Sequence, residues 1–209
     1  MMSKILIFIF CGQVLVSFSA PDPKASQILK RVEDKILSSS SMKTNFSLEI
    51  TEAEKKSENQ KGTFSLKKNK FQLILPNTEV YCNGKDHFTY MKDRKEVQIV
   101  PQDEGDQTYH PRNLAGLYKS GKYDFRVEKE ISDAFWLEFK PLDKKAEYFK
   151  VKMKVDKNTP VIKEVLIYFK NGDKHRIQFF NVVWDSQIPD SDFDLNISKL
   201  GDVHVEDLR

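Results

Sequence analysis

The segment from Gly62 to Val100 constrains the fold more than any other part of this chain. Its apolar residues recur at every second position, as Phe64, Leu66, Phe71, Leu73, Leu75, Phe88, Tyr90, Val97 and Ile99. Turn-forming pairs separate the runs: Lys68-Asn69, Pro76-Asn77, Asn83-Gly84 and Lys92-Asp93. A period of two between such turns is typical of half-buried antiparallel strands joined by hairpins. The segment therefore predicts one wall of a β-sheet, with an apolar face and a polar face.

The remainder of the chain continues this pattern and adds two helices. Asp22-Pro23 predicts a helix start, because Asp caps free amides and Pro fits the first helical position. A second, short helix is predicted from Arg112 to Lys119, and Glu52 to Lys61 is predicted to be a solvated loop. Further strands are predicted over residues 45–51, 123–127, 135–139, 149–155, 165–169 and 176–179. The fold class is therefore mainly β, a single curled antiparallel sheet of about ten or eleven strands paired with their sequence neighbours.

The first nineteen residues differ in composition from the rest. Lys4 precedes an apolar run from Ile5 to Val16, and Ser17-Phe18-Ser19 follows. This order predicts a secretory signal peptide over residues 1–19, cleaved after Ser19. Residues 20–209 are then expected to form one exported, soluble domain with no membrane span. Cys11 follows Phe10 inside the apolar run, so no lipid-modified cysteine is expected.

Charge and chemistry argue against several classes of function. Lysine and arginine number 34 against 31 acidic residues, with both signs mixed along the chain, which disfavours nucleic acid as a partner. Cys82 and His87 flank a turn, but a buried strand cysteine is far commoner than a nucleophile, so no enzyme is expected. The four histidines are scattered, and the acidic run Asp190 to Asp194 lacks the glycine and closing glutamate of a calcium loop. No metal or cofactor is expected.

The apolar face leaves two interpretations open. Its aromatic and aliphatic residues could fill a solid core between the sheet and the helices. They could equally line a cavity for an apolar ligand, because both structures use the same residue types.

The order of the motifs resembles that of a known family. The relevant pieces are Leu66-Lys67-Lys68, Phe71 to Pro76, Asn83-Gly84-Lys85, Phe88-Thr89-Tyr90, Val97-Gln98, the Pro-led helix Pro111 to Tyr118, the hairpin Lys170 to Asp173, Ile188-Pro189 followed by Phe193, and Val203 to Asp207. In this order they are similar to the periplasmic outer-membrane lipoprotein carrier protein family, LolA.

The resemblance implies an open half β-barrel whose concave face is covered by two or three helices over a hydrophobic cavity. Such a protein is a periplasmic chaperone that shields lipoprotein acyl chains between the inner and outer membranes. Its partners would be acylated lipoproteins, an inner-membrane ABC-class transporter and, where one exists, an outer-membrane receptor; a monomer is expected. Two alternatives stay open: an exported module for a fatty acid or glycolipid, and a sensor of lipoproteins or envelope stress.

The resemblance and the alternation together give a set of acyl-chain-binding residues. They are Phe46, Leu48, Phe64, Leu66, Phe71, Leu73, Phe88, Tyr90, Val97, Ile99, Leu114, Leu117, Phe125, Leu137 and Met153. Many members also carry Arg-Pro after the second strand, and that arginine is thought to latch the helical lid. This chain has Lys67-Lys68-Asn69 there, so either a lysine or a different contact must hold the lid.

Overall fold

The computed structural model describes residues 22–53, 57–104 and 111–209 of the chain. The predicted signal peptide, its cleavage point and Cys11 lie outside these residues. So do residues 54–56 of the predicted loop Glu52 to Lys61, and residues 105–110.

The described residues form one sheet of twelve strands with two α-helices. The helices are α1 (Pro23–Ser38) and α2 (Pro111–Gly116), and short 3-10 turns occur at Gln102–Glu104, Leu117–Lys119, Asp190–Phe193 and Ile197–Lys199. The strands are β1 (Met42–Thr51), β2 (Glu58–Lys67), β3 (Lys70–Ile74), β4 (Thr78–Cys82), β5 (Asp86–Met91), β6 (Glu96–Pro101), β7 (Tyr123–Glu130), β8 (Ala134–Pro141), β9 (Tyr148–Asp156), β10 (Ile162–Phe169), β11 (Lys174–Trp184) and β12 (His204–Asp207). The predicted mainly β, curled and open sheet is confirmed.

The strand order is β12-β6-β5-β4-β3-β2-β1-β11-β10-β9-β8-β7. Most neighbours are antiparallel and consecutive in sequence, but two pairs are not. β1 pairs with β11, with Phe46 opposite Phe179, and β12 runs parallel to β6, with Val205 opposite Val97. The prediction that every strand pairs with its sequence neighbour is therefore wrong at these two places. Both pairs join segments distant in sequence, which local alternation does not specify.

The loop predicted from Glu52 to Lys61 is shorter than expected. β2 begins at Glu58, and that residue lies opposite Ile50 of β1. Polar side chains continue a strand here because the backbone hydrogen bonds to β1 do not depend on side-chain polarity.

Helix α1 begins where the sequence predicts and is tied to the sheet at its first residue. The Asp22 carboxylate accepts hydrogen bonds from the backbone amides of Lys24 at 2.8 Å and Ala25 at 3.2 Å. Its other oxygen accepts from the Val127 amide of edge strand β7 at 2.8 Å. One side chain therefore caps the helix and fixes its start against the sheet.

The main core lies between α1 and one face of the sheet, which we call the concave face. The buried stripe of α1 consists of Ala25, Ile28, Leu29, Val32 and Ile36. These residues pack against inward side chains from strands on both sides of the sheet centre. Leu29 is fully buried, so its truncation to alanine would cost about 2–5 kcal/mol.

A second, smaller core lies on the opposite, convex face. Its members are Phe88, Val97 and Ile99, with Tyr81, Tyr90, Leu195, Ile197, Leu200 and Val203 packed around them. The cover is the C-terminal segment 188–209, which we call the strap. Lys67 Nζ donates to the Ile188 carbonyl at 2.7 Å and pairs with Asp190 at 2.6 Å, which fastens the start of the strap. Arg209 pairs with Asp86 at 2.9 Å and fastens its end.

Candidate functional site

A cavity of about 760 Å³ opens on the concave face beneath α2 and the 3-10 turn that follows it. We call Pro111–Lys119 the lid. The lining residues are Glu33, Arg112, Asn113, Leu114, Gly116, Leu117, Lys119, Ser120, Lys122, Tyr123, Tyr148, Val151 and Ile167. Leu114, Leu117, Val151 and Ile167 provide apolar walls, whereas the charged residues come from α1, the lid and the turn that follows the lid. The volume falls in the range of about 300–1,000 Å³ typical of ligand pockets.

The first turn of the lid is held by an arginine. Arg112 Nη2 donates a hydrogen bond to the backbone carbonyl of Lys68 at 2.6 Å. Lys68 lies in the β2–β3 turn with φ of 54°, in the left-handed region. The latch is therefore the reverse of what the resemblance implied: the lid supplies the arginine and the turn supplies a carbonyl. The Lys67 side chain binds the strap instead.

The last turn of the lid is held by α1. Glu33 accepts a hydrogen bond from the Tyr118 hydroxyl at 2.9 Å and from Lys119 Nζ at 2.7 Å. Burial, together with the hydrogen bond to Glu33, raises the pKa of Tyr118, and the hydrogen bond to Glu33 raises the pKa of Lys119. Both donors therefore keep their protons at neutral pH, and this end of the lid stays fastened there.

Two tyrosines form another part of the cavity wall. The hydroxyls of Tyr123 and Tyr148 lie 2.5 Å apart, and the Tyr123 ring meets Phe139 edge to face. Burial and the bond to Tyr148 raise the pKa of Tyr123 well above its ordinary value. The two hydroxyls satisfy each other, so the rings present mainly apolar surface to the cavity.

Eleven of the fifteen predicted acyl-chain-binding residues share the concave face. Phe46, Phe64, Leu66, Phe71, Leu114, Phe125, Leu137 and Met153 are buried in the main core, and Leu48, Leu73 and Leu117 are half-buried against it. Of these eleven, Leu114 and Leu117 line the cavity. The concave face is therefore packed beneath α1, and it borders a cavity beneath the lid.

The other four, Phe88, Tyr90, Val97 and Ile99, lie on the convex face beneath the strap. The expectation that they share a face with the other eleven is wrong. His87 lies opposite Cys82, and Phe88 lies opposite Tyr81 on the other face. The inward side chains of β5 are consequently His87, Thr89 and Met91. The alternating apolar residues therefore face the concave side before the Asn83-Gly84 turn and the convex side after it.

Several lining residues were missed by the sequence analysis. Val151 lies two residues before Met153, and Tyr123 lies two residues before Phe125. Residues two apart in a strand share a face, so extending the predicted set along β7 and β9 would have found both. Glu33 and Arg112 carry no local signal, because each acts through a partner far away in the sequence.

The chemistry considered for Cys82 and His87 is not supported by their surroundings. Cys82 is fully buried, and burial raises the pKa of its thiol, which disfavours the thiolate that a nucleophile needs. His87 is also buried and packs against the Phe71 ring.

Among residues 22–53, 57–104 and 111–209, no group of three or more side chains is arranged to hold a metal ion. Within the same ranges, no helix is long and apolar enough to cross a bilayer.

An incompletely closed barrel with a helical cover over a cavity that has apolar walls is typical of proteins that enclose an apolar ligand. The model of one such family, described as outer membrane lipoprotein carrier protein LolA, matches residues 38–196. The chain belongs to the LolA family. The match ends before β12, so the last part of the strap lies beyond it. No curated protein sequence matches the chain.

Solved structures show the same fold at low sequence identity. An uncharacterized conserved protein from Thermus thermophilus is similar with a TM-score of 0.60 at 12% identity, covering 88% of this chain and 99% of that one. A DUF1329 family protein from Desulfovibrio piger gives a TM-score of 0.50 at 14% identity, covering 87% and 100%. A LolA superfamily protein from Nitrosomonas europaea gives 0.44 at 14% identity, covering 82% and 98%. The first two support the fold, and the third is too distant to add to it.

Proposed function

We propose that this protein is a periplasmic carrier that shields the acyl chains of lipoproteins between the inner and outer membranes. The observation that carries the proposal is the cavity beneath the lid, in a chain that belongs to the LolA family. The proposal includes a signal peptide over residues 1–19 and one domain over 20–209. Its partners are acylated lipoproteins, an inner-membrane ABC-class transporter that releases them, and a receptor or the membrane itself at the point of delivery.

The energetics of the cargo explain why a lidded cavity suits this task. Each methylene contributes about 0.8 kcal/mol on leaving water, so a multiply acylated anchor is held in a bilayer by tens of kcal/mol. A carrier must offer apolar surroundings of similar quality and yet release its cargo. A lid fastened by a few polar contacts meets both demands, because it excludes water when closed and opens at modest cost.

The closed state leaves a defined route for enlarging the site. Leu48 and Leu73 are half-buried on the concave face, whereas Phe46 and Phe64 beneath α1 are almost fully buried. We propose that movement of the lid joins the existing cavity to these half-buried residues first. Space beneath α1 requires the helix itself to move.

Native mass spectrometry of protein purified without detergent tests the proposal. We expect an adduct with the mass of an acylated peptide or lipoprotein, and a Leu117→Glu variant that lacks it, since the new carboxylate would lie in the cavity wall. A matched Leu37→Glu change, at a side chain of α1 that is 58% exposed, should leave the adduct in place. Free fatty acid or glycolipid in place of acylated peptide would assign the cavity to another lipid and contradict the carrier role.

A further inference from the structure

The mouth of the cavity carries a surface to which the proposed function assigns no role. β8 ends, β9 begins and β10 ends at one edge of the sheet, because these strands are antiparallel neighbours. Their connections are held together: the Leu142 amide donates to the Lys122 carbonyl at 2.9 Å, and the Lys170 amide donates to the Glu147 carbonyl at 2.9 Å. We call residues 119–122, 142–150 and 168–174 the mouth rim.

Two large apolar side chains on the mouth rim face solvent. Leu142 is 61% exposed and Phe149 is 49% exposed. Phe149 follows Tyr148, which lines the cavity, and its ring centroid lies 6.2 Å from that of Tyr168. Exposed apolar side chains grouped beside a cavity entrance indicate a contact surface.

The same rim is rich in lysine. It contains seven lysines and three carboxylates, namely Lys119, Lys122, Lys144, Lys145, Lys150, Lys170 and Lys174 against Asp143, Glu147 and Asp173. Lys119 pairs with Glu33, whereas Lys150 and Lys174 lie over the Tyr168 ring, at 4.7 and 5.6 Å from its centroid. The rim thus combines apolar tips with an excess of positive charge.

Lysines further along β9 behave differently. Lys152 and Lys154 each pair with a carboxylate. At the rim, by contrast, Lys122, Lys144 and Lys145 form no ion pair with any carboxylate that the structure describes. The rim thus carries cations that no described carboxylate neutralises.

We infer that the mouth rim docks the protein onto an anionic phospholipid surface. Leu142 and Phe149 enter the interface between headgroups and acyl chains, and the surrounding lysines face lipid phosphates. This combination is how peripheral proteins bind anionic membranes. The inference rests on the proposed function and deepens it, because docking in this orientation lets an acyl chain pass from the bilayer into the cavity without crossing water. The charge is spread over three separate connections, which fits a planar membrane better than a single peptide.

Sedimentation with lipid vesicles tests the docking. The full mature protein is mixed with vesicles of phosphatidylcholine alone, or of phosphatidylcholine with phosphatidylglycerol. We expect binding to the anionic vesicles that weakens with salt. Two rim variants, Leu142→Ser with Phe149→Ser and Lys144→Glu with Lys145→Glu, should each bind about tenfold more weakly.

A control variant changes exposed apolar residues at the far end of the molecule. Leu37 at the end of α1 and Val183 at the end of β11 are 58% and 53% exposed. Leu37→Ser with Val183→Ser should bind anionic vesicles as the native protein does. An equal loss in this control and in the apolar rim variant would overturn the inference.

The remaining outcomes separate this inference from the carrier proposal. Native protein that binds both vesicle types equally, or rim variants that bind as native, would overturn docking. Rim variants that keep vesicle binding but lose transfer from membranes carrying the transporter would assign the rim to a protein partner and likewise overturn it. Uptake of a fluorescent acylated peptide in solution is measured in parallel. Uptake retained by rim variants leaves the carrier proposal standing, whereas no uptake even by native protein contradicts that proposal itself.

Discussion

The contact between Arg112 and Lys68 should control how often the lid opens. A charge-assisted hydrogen bond contributes about 1.5–3 kcal/mol when enclosed, but this one is exposed, and screening reduces it to about 1 kcal/mol. Arg112→Ala should therefore raise the open population roughly fivefold, since about 1.4 kcal/mol corresponds to a factor of ten. Glu33→Ala, at the other end of the lid, should have an effect of similar size. The two should combine to roughly 25-fold, because the contacts share no partner.

Hydrogen exchange followed by mass spectrometry measures this opening directly. Exchange of lid residues 111–119 should accelerate by these factors, while residues 149–155 of β9 exchange as in the native protein. Arg126→Ala is the matched control, because Arg126 is also an exposed arginine that forms one polar contact, an ion pair with Glu138 at 3.0 Å, but on the convex face. Lid exchange that is unchanged in Arg112→Ala, or equally accelerated in Arg126→Ala, would refute the assignment of Arg112 as the latch.

Three further changes should give distinct results. Gly62→Ala would place a Cβ 2.3 Å from a backbone carbonyl of β3, so it should lower the free energy of unfolding in urea by about 3 kcal/mol. Gly116→Ala is the control, because a Cβ there would meet no atom within 4 Å and should not destabilise the fold. Equal effects of the two changes would contradict the packing described. Lys67 and Lys70 hold the pKa of Asp190 at about 2, below the ordinary 3.8. These ion pairs therefore contribute fully to stability above about pH 4, and their contribution is lost as the pH falls through about 2. Hydrogen exchange of residues 188–193 should accelerate in that window, and Asp190→Asn should remove this pH dependence; a variant that keeps it would refute the assignment. Leu117→Glu should abolish acyl-peptide uptake while the circular dichroism spectrum stays native, and retained uptake would remove the lid from the site.

The strands and the first helix could be predicted from the sequence because their signals are local. The alternation between Phe64 and Leu75 reflects the pleat of a half-buried strand, and the Asp22-Pro23 pair is a complete helix start by itself. The pairing of β1 with β11 had no such signal. It joins two runs of consecutive strands, β1 to β6 and β7 to β11, through segments more than a hundred residues apart in the sequence.

The face of each strand was harder to predict than the strand itself. A period of two fixes which residues share a face but not which face is concave. The alternating apolar residues of β5 are Phe88 and Tyr90, which lie on the convex face beneath the strap. The strap is an irregular segment far along the chain, so nothing within β5 and β6 indicates that their convex face is buried. The same limit applies to Arg112, whose partner is a backbone carbonyl and leaves no trace in the sequence.

The central claim is that acyl chains enter the space beneath the lid, and photo-crosslinking tests it most directly. A lipopeptide with a diazirine in its acyl chain is bound to the native protein, irradiated, and mapped by peptide mass spectrometry. Adducts should concentrate on the lid near Leu117 and on the facing strands at Val151 and Ile167. Adducts confined to the convex face, or spread evenly over the surface, would contradict the account.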